Sequence, residues 1–239
     1  MTTRHLLACS GGFVRDRRGN AAPGPLVQRA LELSGSPRPK LCFVGTATGD
    51  AVDYIAHVYA AFAGWSVDVS HLTVFPMPNV PDVRAHILAQ DIVYVGGGSV
   101  ANLLTLWRLH GIDTVLREAW TAGLVLTGVS AGSICWHVGG PTDSFGPQLR
   151  PALDGLALVP YGNGVHYNSE EQRRPLLHRL VADGTLPTSY AADDGVGLHY
   201  VGTELEEAVA DRPEASAYVV ERVRPDAAEE RRITPRLLV

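Results

Sequence analysis

The sequence predicts an α/β fold with a mostly parallel sheet that helices cover on both faces. Three observations lead to this prediction. Five short apolar runs without polar alternation occur between residues 6 and 127, as is typical of buried parallel strands. Segments with helical periodicity separate these runs, which is the order of a βαβ architecture. Gly, Pro or polar residues mark most of the junctions, so the chain reads as alternating elements joined by short loops.

The elements follow one another regularly through the first half of the chain. Strands are predicted over residues 6–9, 41–44, 67–74, 91–95 and 124–127, and helices over residues 26–33, 52–63, 83–88, 100–109 and 112–120. The pattern is less regular after Gly139. Further strands, partly antiparallel, are expected there over residues 155–159, 196–200 and 218–223, and residues 222–232 are expected to form a charged, exposed end.

The composition limits the function classes. The 239 residues are 46% hydrophobic and 19% charged, which suits one α/β domain over residues 1–239. A net charge of −5 without a basic stripe argues against a nucleic-acid partner. No apolar run approaches the roughly 18 residues that a membrane span needs. Three cysteines without a C-x-x-C pair suggest no disulfide, and we expect a cytoplasmic protein.

The motif Gly128-Val-Ser130-Ala-Gly132 follows the fifth predicted strand. It fits the G-x-S-x-G nucleophile elbow, in which a strained strand-to-helix turn exposes a serine hydroxyl above the sheet. The amide of Ala131, at the start of the next helix, could donate to an oxyanion, and an amide of the Gly96–Gly98 turn could supply a second donor. A small-residue junction without catalytic function is the alternative, but the strand, helix and preceding glycine turn favour the nucleophile.

A serine nucleophile needs a general base, and nine histidines are available. His166 is the best candidate, because it lies in "YGNGVHYN", a glycine-flanked loop after an apolar run. His137 follows Ser130 on the same predicted helix, so its ring should point away from the elbow. Other histidines lie in amphipathic helices, at helix ends or beside strands.

The base in turn needs an acceptor that orients its ring. Asp143, in "GGPTDSFG", is 13 residues after Ser130 and is the preferred candidate. Glu170 and Glu171, shortly after His166, are competitors, although their position before a helical segment also suits a solvated helix start.

Other chemistries fit less well. There is no H-E-x-x-H motif and no Cys/His cluster with ligand spacing, so no metal and no other cofactor is expected. The Gly96–Gly98 run lacks both G-x-G-x-x-G and Gly-Lys-Ser/Thr, so it is a weak phosphate site. A cysteine amidase is disfavoured because the elbow holds Ser130, and Cys135 lies five residues further on.

The segments "YVGGGS", "GVSAGS" and "VHYN", in this order, resemble the peptidase E family, whose relatives include cyanophycinases. The resemblance runs from about residue 41 to residue 180. It implies a serine peptidase on a three-layer α/β/α sandwich of the class I glutamine-amidotransferase-like (flavodoxin-like) type. It further implies release of N-terminal aspartate from Asp-X dipeptides without a metal, by an enzyme that is a monomer or a homodimer.

Transferred to this chain, the resemblance makes Ser130 the nucleophile, His166 the general base and Asp143 the third triad member. It aligns Gly98 and Ala131 with the oxyanion donors.

The arginine that meets an acidic substrate side chain would fall in "SEEQRRP", with Arg173 preferred over Arg174. A guanidinium fork suits a carboxylate because it donates two parallel hydrogen bonds. Two alternatives stay open: a cyanophycinase-like hydrolase of β-aspartyl-arginine, and a catalytically inactive binding protein on the same fold.

Overall fold

The structure is a computed structural model, and it describes residues 3–238. The strands of the main sheet are β1 (His5–Cys9), β4 (Lys40–Val44), β5 (Asp68–Leu72), β6 (Ile92–Val95), β7 (Val125–Val129), β12 (Val196–Val201), β13 (Glu204–Ala210) and β16 (Arg236–Leu237). The other strands are β2 (Phe13–Arg15), β3 (Ala21–Pro23), β8 (Gly140–Thr142), β9 (Arg150–Ala152), β10 (Gly162–Gly164), β11 (Ser189–Ala192), β14 (Ala217–Arg224) and β15 (Ala227–Ile233). The helices are α1 (Pro25–Leu33), α2 (Val52–Ala61), α3 (Val83–Leu88), α4 (Val100–His110), α5 (Ile112–Ala122), α6 (Ala131–Ile134) and α7 (Arg173–Ala182).

The main sheet has eight strands in the order β16-β13-β12-β1-β7-β6-β4-β5. Strands β1, β7, β6, β4 and β5 are mutually parallel, whereas β12 is antiparallel to β1 and β13 is antiparallel to β12. The register Cys9↔Gly197 places the start of β12 beside the end of β1. The turn before β12 therefore lies at the edge of the sheet where the parallel strands end, and that edge is where open α/β sheets bind ligands.

Helices cover both faces of this sheet, which confirms the predicted α/β sandwich. Leu6 and Ala8 of β1 belong to a core cluster shared with α3, α4, α5 and α6. Leu7 and Cys9, which alternate with them, pack in a smaller cluster that includes residues of α1. Apolar residues of β4 and β6 on that second face pack against α1 and α2. Because successive strand residues point to opposite faces, a strand buried on both sides reads as a continuous apolar run.

A second sheet of four strands, in the order β10-β11-β14-β15, lies beyond the elbow. Helix α7 packs on it through Leu176, Leu177 and Val181, which form a separate core cluster with Ala191 and Val220. The sheet carries the loop after β10 and the turn after β11. The charged segment 222–232 is mostly exposed, as expected, but it forms the β14–β15 hairpin rather than a free end.

The strand predicted over residues 155–159 is wrong. The segment has no strand pairing, and its amides donate to carbonyls just after α6: Leu156 N to Cys135 O at 2.8 Å and Leu158 N to Trp136 O at 2.8 Å. Its leucines are apolar because they pack into the main core. An apolar run alone cannot distinguish a buried strand from a buried loop. Between residues 3 and 238, no helix is long and apolar enough to span a bilayer.

Candidate active site

Ser130 lies between β7 and α6 in a strained backbone conformation. Its φ of 57° and ψ of −112° fall outside the regions that non-glycine residues favour. The amide of Ser130 donates to Cys9 O at 3.1 Å, and its carbonyl accepts from Ser133 N at 2.8 Å and from Ile134 N at 3.0 Å. Strain of this kind persists only where the surroundings hold it, and it is typical of functional sites. Ser130 has the geometry of the predicted elbow.

The elbow requires small neighbours because three backbone segments approach one another closely. A Cβ atom on Gly128 would lie 2.4 Å from Gly132 O, and one on Gly132 would lie 2.3 Å from Val95 O. Neither carbonyl can move without breaking the strand-to-helix turn. The two glycines of the motif are therefore explained by contacts with backbone atoms.

The glycine turn after β6 lies against the elbow. A Cβ atom on Gly97 would be 3.3 Å from the Cβ of Ser130. Gly98 has a φ of +135°, and a Cβ there would lie 2.4 Å from Ala47 O, so only glycine fits. Within residues 3–238, neither Gly98 nor Ala131 has a hydrogen-bond acceptor for its amide. Both amides remain able to donate to a ligand.

His166 is held beside the elbow by a carboxylate. Its Nδ1 lies 2.6 Å from Oδ1 of Asp194, and the two side chains are 24% and 33% exposed. This contact favours a proton on Nδ1 and leaves Nε2 as the acceptor. Burial by itself raises the pKa of the Asp194 carboxyl, but hydrogen bonds from Ser169, His166 and Ser10 outweigh it and hold the pKa below its ordinary value. The carboxylate stays ionised beside the ring.

The backbone of the His166 loop is fixed to the turn that carries Asp194. Tyr167 N donates to Ala192 O at 3.2 Å, and Asp194 N donates to Oδ1 of Asn168 at 2.9 Å. His166 itself has a φ of 52°, a second non-glycine residue in the left-handed region. No direct hydrogen bond joins Ser130 to His166 among the described residues. Catalytic contacts are often long without substrate and tighten when it binds.

Asp143 occupies a different position from the one expected of a residue that orients His166. The carboxylate bonded to His166 is that of Asp194. Asp143 is exposed and lines a cleft of about 250 Å³ together with Ser130, Glu170 and Arg173. It follows β8, on the side of the cleft that faces the start of α7, whereas Asp194 precedes β12 and lies next to the end of β1.

The structure brings the predicted Arg173 into the cleft of Ser130. Its side chain is 2% exposed; Nε donates to Oε2 of Glu170 at 2.7 Å and Nη1 donates to Pro141 O. Glu170, a predicted competitor for the triad, is thus the partner of this guanidinium. Arg174 turns away and bonds Glu230, and Glu171 is exposed near the cleft's outer rim.

A larger cavity of about 620 Å³ lies on the other side of the glycine turn. It contains no ionisable side chain and is lined by Thr46, Ala47, Thr48, Gly49, Phe75, Asn102, Thr105 and Leu106. The smaller cleft is lined by Ser130 of the elbow and by the charged side chains of Asp143, Glu170 and Arg173, and it is the candidate active site.

His137 is buried and points away from the elbow, as predicted, although it lies after the end of α6 rather than on a longer helix. Its Nδ1 bonds Ser133 O at 2.9 Å and its Nε2 bonds the hydroxyl of Tyr200 at 3.0 Å. Burial lowers the pKa of His137 to about 4. Burial, followed by the positive charges of His5 and Arg29, also lowers the pKa of His199 to about 4.

These two histidines predict how stability depends on pH. An unfolded histidine takes up a proton near its ordinary pKa of about 6.5, whereas the folded protein resists this until about pH 4. The free energy of unfolding should therefore fall as the pH is lowered from 6.5 to 4, by up to about 1.4 kcal/mol per pH unit for each histidine. Urea unfolding across this range should show a shallower slope for His137→Gln. Equal slopes in the parent protein and in His137→Gln would contradict the prediction.

Two further observations concern cofactor chemistry. In the part of the chain that the structure describes, no group of three or more His, Cys, Asp or Glu side chains is arranged to hold a metal ion. Cys9, Cys42 and Cys135 are free and buried, and burial raises the pKa of the Cys9 and Cys42 thiols to about 12. Those two thiols are poor nucleophiles at neutral pH.

Sequence reasoning missed Asp194 and Ser10. The segment "AADDGVG" does contain a readable signal, since two carboxylates and a glycine separate two apolar strands. That signal becomes decisive only with the antiparallel pairing of β12 and β1, which joins residues nearly 200 positions apart in the chain.

Comparisons with known proteins identify the family to which the chain is similar. A family model described as Peptidase family S51 matches residues 6–208. The chain is 38% identical over 226 residues to the uncharacterized peptidase YgaJ of Bacillus subtilis strain 168, covering 95% of this chain and 96% of that protein. It is 30% identical over 166 residues to a peptidase E of Streptomyces coelicolor, covering 62% and 63%. The crystal structure of a peptidase from an acI-B1 actinobacterium superposes with a TM-score of 0.66 at 15% identity, covering 98% and 95%.

Proposed function

The chain belongs to peptidase family S51, and from this premise we propose that it is a serine peptidase that hydrolyses dipeptides with an N-terminal aspartate. The observation that carries the proposal is the His166–Asp194 pair, 2.6 Å apart, beside a strained serine elbow. We assign the triad to Ser130, His166 and Asp194, and the oxyanion hole to the amides of Gly98 and Ala131. The three buried, unpaired cysteines suit a cytoplasmic enzyme.

The proposed reaction is acyl transfer. The Oγ of Ser130 attacks the peptide carbonyl while Nε2 of His166 takes its proton, and Asp194 stabilises the imidazolium that forms. The amides of Gly98 and Ala131 donate to the developing oxyanion. His166 then gives the proton to the leaving amine. In the second half of the cycle, a water molecule that His166 activates hydrolyses the acyl-enzyme.

The charges of the cleft support a substrate with an N-terminal aspartate. Arg173 uses Nε and Nη1 for protein contacts, and among residues 3–238 its Nη2 has no partner, so this nitrogen can donate to a substrate carboxylate. Asp143 and Glu170 line the same cleft and can accept from the substrate's α-ammonium group. Together they complement a residue that carries one positive and one negative charge.

A peptide panel tests this assignment. We expect the enzyme to cleave Asp-Leu in the presence of a chelator, and to cleave Glu-Leu, Ala-Leu and β-Asp-Arg poorly. Arg173→Lys should raise KM for Asp-Leu about 10-fold or more, because an ammonium cannot bond Glu170 and Pro141 O and still direct a third donor at the substrate carboxylate, as the planar guanidinium does. Arg179→Lys, on the exposed side of the same helix, is the matched control and should leave KM unchanged.

The panel also separates the alternatives. Preferred cleavage of β-Asp-Arg would make the enzyme cyanophycinase-like. Equal cleavage of Ala-Leu and Asp-Leu would show that Arg173 does not select substrates with an acidic side chain. Lack of cleavage of every peptide, with binding of Asp-Leu intact, would favour the inactive binding protein.

A further inference from the structure

Ser10, the residue directly after β1, lies between the groups assigned to the triad. It is 1% exposed. Its Oγ accepts a hydrogen bond from the amide of His166 at 2.8 Å and donates to Oδ1 of Asp194 at 3.4 Å. That carboxylate oxygen is the one that also accepts from Nδ1 of His166. A single hydroxyl thus contacts both the base and its acidic partner.

The nucleophile is anchored to the preceding residue of the same strand. Cys9 O accepts the hydrogen bond of the Ser130 amide at 3.1 Å. Two consecutive residues at the end of β1 therefore hold Ser130 through one bond and His166 through another. A movement of this strand end would change the separation of nucleophile and base.

The backbone of Ser10 is itself locked to the turn that carries Asp194. Ser10 N donates to Val196 O at 2.8 Å, and Gly195 N donates to Ser10 O at 2.7 Å. These two bonds join Ser10 to the two residues that follow Asp194 in the chain. The position of the Ser10 hydroxyl relative to Asp194 is therefore fixed by backbone contacts.

We propose that Ser10 is a positioning residue of the active site. It holds the backbone of His166 and the carboxylate of Asp194 at fixed positions relative to Ser130. The inference rests on the proposed function, because it presupposes that His166 acts as the base. Ser10 does not touch the reacting atoms. It acts through His166 and Asp194.

The backbone of His166 shows why such a contact is needed. A φ of 52° places this residue in the left-handed region, which non-glycine residues adopt at a cost. The hydrogen bond from its amide to Ser10 compensates for that strain. Without the hydroxyl, the partly buried amide of His166 loses this acceptor, and the loop can relax toward a more common conformation.

Loss of the hydroxyl also changes the electrostatics of the pair. Asp194 would accept one hydrogen bond fewer, so more of its negative charge would act on the imidazolium form of His166. Asp193 and Arg212, the other charged groups near Asp194, are unaffected by the substitution. The hydrogen bond between Nδ1 of His166 and Oδ1 of Asp194 should therefore change in Ser10→Ala.

Three substitutions separate hydrogen bonding from packing. Ser10→Ala removes the hydroxyl, Ser10→Cys keeps the volume with only a weak hydrogen-bonding group, and Ser10→Thr keeps the hydroxyl. Ser189→Ala is the matched control, because Ser189 is also buried and donates to a backbone carbonyl, that of Pro187, at 2.9 Å. Folding of each variant is checked by thermal unfolding.

We expect kcat for Asp-Leu to fall about 10- to 100-fold in Ser10→Ala and Ser10→Cys, with KM within about twofold, since misplacement of a catalytic group costs turnover rather than binding. The NMR signal of the Nδ1 proton of His166, which reports its hydrogen bond to Asp194, should shift in both variants. Ser10→Thr should restore most of kcat, and Ser189→Ala should change neither quantity.

Unchanged kcat and an unchanged Nδ1 proton signal of His166 in folded Ser10→Ala would overturn the inference, as would full recovery in Ser10→Cys, which would show that packing alone matters. If the unsubstituted enzyme cleaves no peptide, the proposed function fails. The Nδ1 proton signal still decides the role of Ser10, because it needs no turnover.

Discussion

Replacing Ser130 with alanine is expected to lower kcat for Asp-Leu by about a million-fold, the scale seen when a serine nucleophile is removed from a triad. The proposed mechanism has no other group that can form the acyl-enzyme. The substitution removes only one oxygen from a half-buried side chain, so we expect the fold to remain intact. Initial rates on Asp-Leu, with the free energy of unfolding measured in parallel, test this.

Ser133→Ala is the matched control for this experiment. Ser133 lies three residues further along, is 1% exposed, and donates to Oδ1 of Asn163 at 2.9 Å. It has no contact with the cleft, so its loss should lower stability without abolishing turnover. Activity that survived in Ser130→Ala, or that was lost only in Ser133→Ala, would refute the assignment of the nucleophile.

Asp194→Asn is expected to lower kcat by about 10,000-fold with little change in KM. The amide of asparagine can donate to Nδ1 of His166, and this would place the ring proton on Nε2. A protonated Nε2 cannot accept the proton of Ser130. Asp143→Asn should act differently, raising KM more than it lowers kcat, because Asp143 lines the substrate cleft and does not touch His166.

Steady-state kinetics of the two variants therefore discriminate between the two carboxylates. If Asp143→Asn lost about 10,000-fold in kcat while Asp194→Asn stayed near the parent value, Asp143 would be the third triad member and the hydrogen bond of His166 would reorganise during catalysis. The pair of measurements is informative because Asp194 bonds His166, whereas Asp143 lines the cleft and does not.

The local features of the site could be predicted from the sequence. The elbow is encoded within five residues, and its glycines are required by contacts with Val95 and with each other. The glycine turn after β6 is readable for the same reason, because both motifs follow apolar strands that lie side by side. These features depend on local steric rules and on the edge of a parallel sheet where ligands bind.

The partner of His166 could not be predicted in the same way. Asp143 is closer to Ser130 along the chain, and nothing local distinguishes it from Asp194. Asp194 contacts His166 because β12 runs antiparallel to β1 and places the turn before β12, which carries Asp194, beside Ser10. Such long-range pairing depends on the whole sheet.

Arg173 shows an intermediate case. Its role as a cleft residue came from the resemblance, but its pairing with Glu170 follows the i, i+3 spacing that brings two side chains together at the start of a helix. The sequence contained both charges. It did not reveal that the guanidinium is buried and lies near Ser130.

The most direct test of the account is the site of covalent modification by a fluorophosphonate, which reacts with activated serines. We expect a single adduct, located on Ser130 by peptide mass mapping, and a much slower reaction in Asp194→Asn than in Asp143→Asn. Absence of an adduct in the folded enzyme, or an adduct on Ser133 or on Ser144, which lines the same cleft as Ser130, would contradict the proposal that Ser130 is the nucleophile of a Ser130–His166–Asp194 triad.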